Sequence, residues 1–197
     1  IVFLLSFSLI SLELVWTRIF SAEYFYTFAF LILSIAILGL GLGSLSLRVF
    51  NFLNNKKWIG WILTAAALFA LLSPAAVIKL SLDFSLLASS LIMIIKFVLA
   101  ILLLSSSFYL GGIALAFYFK RNSSDMPKIY TADLLGAGAG VILTIFLMNT
   151  ISTPAAVFLT PLPILFSAIL TNNKWMKFIP AFLAVLALYL SADAASR

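Results

Sequence analysis

Three ionisable side chains stand inside otherwise apolar stretches, Glu13, Lys96 and Asp133, and Arg48 closes a fourth such stretch. A charge in hydrocarbon costs about 2.5–3.5 kcal/mol on insertion scales, so each calls for a partner or a watery cavity. The chemistry open to them is narrow. With His and Cys absent, the chain has no imidazole or thiol for nucleophilic or acid–base work, and it lacks the usual ligands of haem, zinc, copper and iron–sulfur centres. No catalytic residue, cofactor or metal is expected on these residues, and an enzyme is not the expected reading.

Asp133 lies in the segment Tyr130-Thr131-Ala132-Asp133-Leu134-Leu135-Gly136-Ala137-Gly138-Ala139-Gly140. Gly136 and Gly140 form a small-xxx-small step on the helical face that carries Asp133. A matching step, Gly39 and Gly43, precedes Arg48, with Gly41 and Ser44 beside it. Laid antiparallel with Gly43 on Gly136, the two helices bring Arg48 to Asp133, so a close pair locked by that ion pair is predicted. A proton or cation relay at Asp133 is the functional alternative. Glu13 precedes Arg18 by five residues, a poor same-face spacing. Lys96, at similar depth, is its predicted partner, with outward snorkelling of Lys96 as the rival and an outward-facing substrate site on Glu13 as a third reading. The Gly-rich runs are not phosphate loops, because neither follows a strand or opens into Gly-Lys-Ser or Gly-Lys-Thr.

The elements that must carry these residues follow from composition. The chain is 64% hydrophobic and 9% charged, with a mean hydropathy of +1.24, far from a soluble domain. In lipid, backbone polar groups must be satisfied within the segment, so long apolar runs become helices. The predicted fold is an all-α polytopic transmembrane helix bundle, one domain of about seven spans near 1–20, 24–50, 58–78, 86–119, 129–149, 154–171 and 176–190. The fourth exceeds one crossing, which suggests a tilted or interfacial first turn. Pro161 and Pro163 predict a kink in the sixth.

Lys and Arg mark the side. Arg48, Lys56 and Lys57, then Lys120, Arg121 and Lys128, then Lys174 and Lys177 fall in alternate loops, which places those loops and the amino terminus in the cytoplasm and Arg197 outside. The +6 net charge thus reads as membrane topology, with the lipid bilayer as partner and no nucleic acid. Trp58, Trp61, Tyr118, Tyr130 and Trp175 fall at predicted inner ends. Trp16, Tyr24, Tyr26 and Tyr189 fall at outer ends, and Tyr109 fits poorly. The tail Ser191-Ala192-Asp193-Ala194-Ala195 is similar to a signal peptidase site, although small residues are ordinary at the end of a last span. The chain starts at Ile1 without Met, so a fragment of a longer protein is one expectation.

Glu13-Leu14-Val15-Trp16-Thr17-Arg18, Gly39-Leu40-Gly41-Leu42-Gly43-Ser44 and Tyr130 through Gly140, in this order and spacing, resemble the membrane domain of bacterial spermidine synthase-like proteins. The resemblance covers most of the chain. It implies several spans preceding an aminopropyltransferase-type domain of methyltransferase-like α/β fold, whose Gly-rich strand-turn-helix binds decarboxylated adenosylmethionine. No such unit lies within these residues, and the family's catalytic carboxylates cannot be carried over to Glu13 or Asp133.

The expected function is a non-catalytic module of the plasma membrane, bacterial inner membrane, that anchors or scaffolds a protein partner or larger complex. The alternative is a transporter for a small, polyamine-like cation, motivated by Glu13, Asp133 and the Pro-interrupted span. Internal repeat symmetry is not evident. A membrane enzyme using carboxylates and magnesium would need several acids near one interface, whereas the six here are scattered.

Overall fold

The structure, a computed structural model, describes residues 1–24, 26, 28–86, 89–172 and 174–196, and only the backbone of 86, 174 and 175. The sequence placements of Arg197 and of the Trp175 ring lie outside the described residues. Helices α1 (Val2–Glu23), α2 (Phe28–Val49), α3 (Lys56–Lys79) and α4 (Leu91–Arg121) are followed by α5 (Met126–Thr150), α6 (Thr153–Leu159), α7 (Leu162–Thr171) and α8 (Phe178–Ser196). Short 3-10 turns punctuate the chain, and no strand occurs among the described residues. Seven helical stretches, with α6 and α7 counted together, are long and apolar enough to cross a membrane. The fold is therefore an all-α bundle of a multi-pass kind.

Local chemistry sets the boundaries. The Asn55 side chain caps α3 by accepting from the Lys57 amide at 3.1 Å, and Ser152 caps α6 by accepting from Ala155 at 3.3 Å. Both satisfy amides that have no partner within the helix. Pro127, Pro154 and Pro163 occupy first turns, where a missing N–H costs nothing. Helix α4 begins at Leu91, after a separate 3-10 turn over Phe84–Leu86. Its 31 residues still make about 46 Å of helix against roughly 30 Å of hydrocarbon, so one end must overhang or the axis must tilt.

The sixth span does not merely kink. It breaks between α6 and α7. Pro161 cannot donate to Val157, and the Thr160 hydroxyl takes up that carbonyl at 3.0 Å. The Thr160 carbonyl in turn accepts the Ser8 hydroxyl of α1. Side chains thus replace the lost helical bonds, as they must away from water.

Helix α1 stands at the centre and touches α2 through α7. Its Leu12, Trp16 and Phe20 are fully buried, together with Ile32, Leu63, Leu104, Phe108 and Ile164 from the surrounding helices. The principal pairs are α2 with α4, α1 with α5, and α3 with α4 and α7, while α8 lies on α6 and α7. Outward faces are apolar: Phe30, Ile37, Ile142, Phe146 and Phe182 are all exposed. A lipid solvent accepts such a surface, whereas water would drive it to associate.

Candidate functional site

Helix α1 carries three buried serines, Ser6, Ser8 and Ser11. Its Ser6 hydroxyl donates to the Asp133 carboxylate of α5. Further along, Thr144 of α5 donates to Ser11 at 2.7 Å, and Ser11 donates to the Phe7 carbonyl of its own helix at 2.6 Å. Between these clasps the two backbones come close. A Cβ on Gly136 would overlap the Phe3 carbonyl oxygen, and one on Gly140 would lie 2.6 Å from that of Phe7. Residues 3, 7 and 11 meet 136, 140 and 144 in rising order, so α1 and α5 run parallel.

The second glycine step serves another pair. Gly39 lies against Phe108 and Gly43 against Tyr109 and Ile113, both of α4, and Gly112 of α4 answers against Leu40. The predicted antiparallel pairing of Gly39 and Gly43 with Gly136 and Gly140 is therefore corrected, and with it the Arg48–Asp133 ion pair. Arg48 is exposed at the end of α2, while Asp133 is held by Ser6. The physical reason is that α4 offers α2 its own bare position, Gly112, and each glycine step packs on a parallel neighbour.

Glu13 and Lys96 are not paired either. Trp16 packs edge-on against Phe108 with ring centroids 5.4 Å apart, and Leu9 fills the space beside Gly111. That register puts Glu13 level with residues 109–112 of α4, about 20 Å along the axis from Lys96. Lys96 instead donates to the Leu80 carbonyl at 3.0 Å. There it caps the end of α3, where the helix dipole favours a cation. Glu13 has neither a hydrogen bond nor an ion pair among the described residues. It is half-buried and lies about 16 Å from the start of α1, near mid-helix. Its neighbours on the helix place it between the α4 contact made by Leu9 and the α5 contact made by Ser6.

Trp16 is corrected from a headgroup-level anchor to a core residue with 0% exposure. Among the described residues its indole N–H has no hydrogen-bond partner, and neither has the buried Ser107 hydroxyl beside Phe108 in the chain. Tyr109, which fitted the aromatic belt poorly, donates to Ser46 at 2.9 Å. Of the other belt residues, Trp58, Trp61, Tyr26, Tyr130 and Tyr189 are exposed, whereas Tyr24 and Tyr118 are partly buried and bond the Val77 carbonyl and Thr171.

Cavities open at the two ends of the bundle. At the basic end, one of about 510 Å³ lies between the first turn of α3 and the end of α7. Another, of about 420 Å³, is lined by Asn51, Asn54, Phe117, Lys120 and Arg121. At the opposite end, a cavity of about 630 Å³ is bordered by Glu23, Tyr24, Asp83 and Ser85. Burial, and next the Glu23 charge, push the Tyr24 phenol up. The Ser85 hydroxyl and amide hold the Asp83 carboxyl below its ordinary value.

Sequence reasoning missed Ser6, Ser8, Ser11, Thr144 and Gly112. The available signal was their small polar or bare character within apolar runs, which in lipid marks helix-facing positions. It also missed Asn172, nearly buried against Gly60, whose carbonyl it reaches at 3.4 Å. No family model matches the chain, and no curated protein or solved structure matches it significantly. Among the described residues no three acidic side chains converge as a metal site would require.

Proposed function

We propose that this chain is a non-catalytic module of the plasma membrane that anchors or scaffolds a protein partner, with its amino end in the cytoplasm. The observation that carries the reading is where the intramembrane polar groups go. Asp133 is taken by Ser6, Thr144 by Ser11, the Thr160 carbonyl by Ser8, and Lys96 by the Leu80 carbonyl. These contacts join helices to one another, and the cavities sit at the ends of the bundle. Lys56, Lys57, Lys120 and Arg121 around the two cavities of one end fit a cytoplasmic leaflet. The resemblance to the membrane part of spermidine synthase-like proteins suits an anchor for a catalytic partner or an appended domain.

Extraction from native membranes into nanodiscs, followed by mass measurement, tests it. The expected particle holds this 21.5 kDa sequence with a second polypeptide in fixed ratio, or within a longer chain. Recovery of the sequence alone at its own mass would overturn the reading.

A second reading, a transporter for a small cation of polyamine type, is favoured by one observation: Glu13 stands near mid-helix, half-buried and unbonded. An intramembrane carboxylate without a structural partner is what a substrate cation would need. Uptake into vesicles that is abolished by Glu13→Gln and spared by Asp133→Asn would establish this second reading. Uptake unchanged in both variants would remove it.

A further inference from the structure

Two cavities share the basic end of the bundle, and their cations are in different states. In the smaller one, the Lys120 ammonium donates to the Asn54 amide oxygen at 2.9 Å, and the Arg121 guanidinium lies 5.9 Å from the centre of the Phe117 ring. Both cations are engaged. In the larger, about 510 Å³, Lys56 and Lys57 stand side by side on the first turn of α3. Among the described residues no acid lines that cavity, and the one ion pair among them, Lys128 with Asp125 at 3.4 Å, lies elsewhere.

The rest of the lining is built for an amphiphile at headgroup level. Trp58 and Trp61, 52% and 44% exposed, and Met176 supply apolar walls, and tryptophan favours the boundary between headgroups and hydrocarbon. Across from them, Asn172 is nearly buried, and its amide is fixed by the Gly60 carbonyl and the Thr64 hydroxyl at 3.4 and 3.3 Å. Thr171 is pinned by Tyr118 at 3.0 Å and by the Ser167 carbonyl at 2.8 Å. These anchors fix the α7 wall in place before any ligand arrives. The volume suits a small organic headgroup rather than a bare ion.

We infer that the cavity between the first turn of α3 and the end of α7 binds a phosphate-bearing headgroup, with Lys56 and Lys57 meeting the phosphate and Trp58 and Trp61 flanking the glycerol end of an anionic phospholipid. Basic pockets between helices on the cytoplasmic side are suited to such lipids, and each cation near the membrane surface contributes about fivefold in affinity. The inference goes beyond the anchoring role and holds whether or not a partner is present.

Native mass spectrometry of the full chain in mild detergent tests it, with phosphatidylglycerol and phosphatidylcholine of equal chain length offered together. The expected result is one phosphatidylglycerol retained in preference, by about thirtyfold if both lysines act. Lys56→Gln with Lys57→Gln should bring the ratio near one. Lys120→Gln with Arg121→Gln, which removes equal charge from the same end, should leave it high. Trp58→Phe with Trp61→Phe keeps every charge and should weaken retention of both lipids. Inorganic phosphate at millimolar concentration separates the sources. Displacement of the lipid by phosphate would assign the site to soluble phosphates, and no displacement assigns it to lipid. Equal retention of the two lipids by the unaltered chain would overturn the inference. So would equal loss of preference in the two charge-removal variants.

Discussion

The two glycine-lined crossings, α2 on α4 and α1 on α5, look alike in sequence and are built differently. At the first, bare positions occur on both helices, Gly39 and Gly43 on one and Gly112 on the other. The hydrogen bond between the side chains of the two helices is that of Tyr109 to Ser46. At the second, glycine is on α5 alone, and polar clasps lie along the contact, Ser6 to Asp133 and Thr144 to Ser11. The buried residues of α5 are only Gly136, Gly140 and Thr144, whereas α4 is also packed on α3. Where a helix is held on two sides, close backbone approach from both partners goes with a single hydrogen bond between side chains among the described residues. A helix held mainly on one side is pinned by hydrogen bonds as well.

The largest effect that could break this comparison is steric. Gly43→Leu puts a side chain where the Tyr109 carbonyl sits, and should cost about 3 kcal/mol or more of bundle stability, read by steric trapping in bicelles. Gly136→Leu meets the Phe3 carbonyl in the same way. If α5 is held chiefly by α1, this variant should release α5 alone, seen as new proteolysis at 122–125 while the remaining helices stay protected. Global unfolding by Gly136→Leu would erase the distinction between the crossings.

A smaller effect sharpens it. A double-mutant cycle of Ser6→Ala and Asp133→Ala should show a coupling of about 0.6 kcal/mol, and at most about 1.7, in line with hydrogen bonds between membrane helices. The cycle of Ser46→Ala and Tyr109→Phe should give no more than that. A zero coupling for Ser6 and Asp133 would mean that glycine contact and the Thr144–Ser11 clasp hold α5 without that bond. Smaller still are Gly41→Ala and Gly138→Ala, whose added methyl meets nothing within 4 Å. Both should stay within about 0.5 kcal/mol of the parent, and a larger cost would place an unseen neighbour on those faces.

These glycines also show how far the sequence could be read. Seven apolar stretches and an interruption near Pro161 were legible, though read as a kink and not as a break, because lipid leaves helices as the one way to satisfy a long apolar backbone and because Pro cannot donate. That Gly39 with Gly43 and Gly136 with Gly140 are contact positions was legible too, from their spacing. Their partners were not. A helical face gives an angle about its own axis and no address for the neighbour. Choosing antiparallel α2 and α5 overlooked Gly112 on α4 and the serines of α1, which are the surfaces that the two steps meet. Charge misled for a related reason. Opposite charges at similar depth, Arg48 with Asp133 and Glu13 with Lys96, suggested ion pairs, yet a hydroxyl and a helix-end carbonyl serve instead.

The smallest effect is at the non-basic end, where the loop from α3 to α4 is pinned by Asp83. Its carboxylate accepts from the Ser85 amide at 3.0 Å and the Ser85 hydroxyl at 2.6 Å, which holds its pKa below the ordinary 3.8. A depressed carboxyl contributes stability that is fully present above its unfolded value and is lost as pH falls through the folded one. Protection of the Ser85 amide, taken relative to its intrinsic exchange rate at each pH, should therefore be full at neutral pH and decline below about pH 4. Asp83→Asn keeps an acceptor but no charge, and should flatten that pH dependence. Because this loop leads into α4, any acid-induced loosening from Asp83 should reach the first turn of α4 and leave the α1–α5 clasp at Ser11 and Thr144, whose groups do not titrate, unchanged. An equal loss of protection at the Thr144 amide would show that the two crossings are not independent.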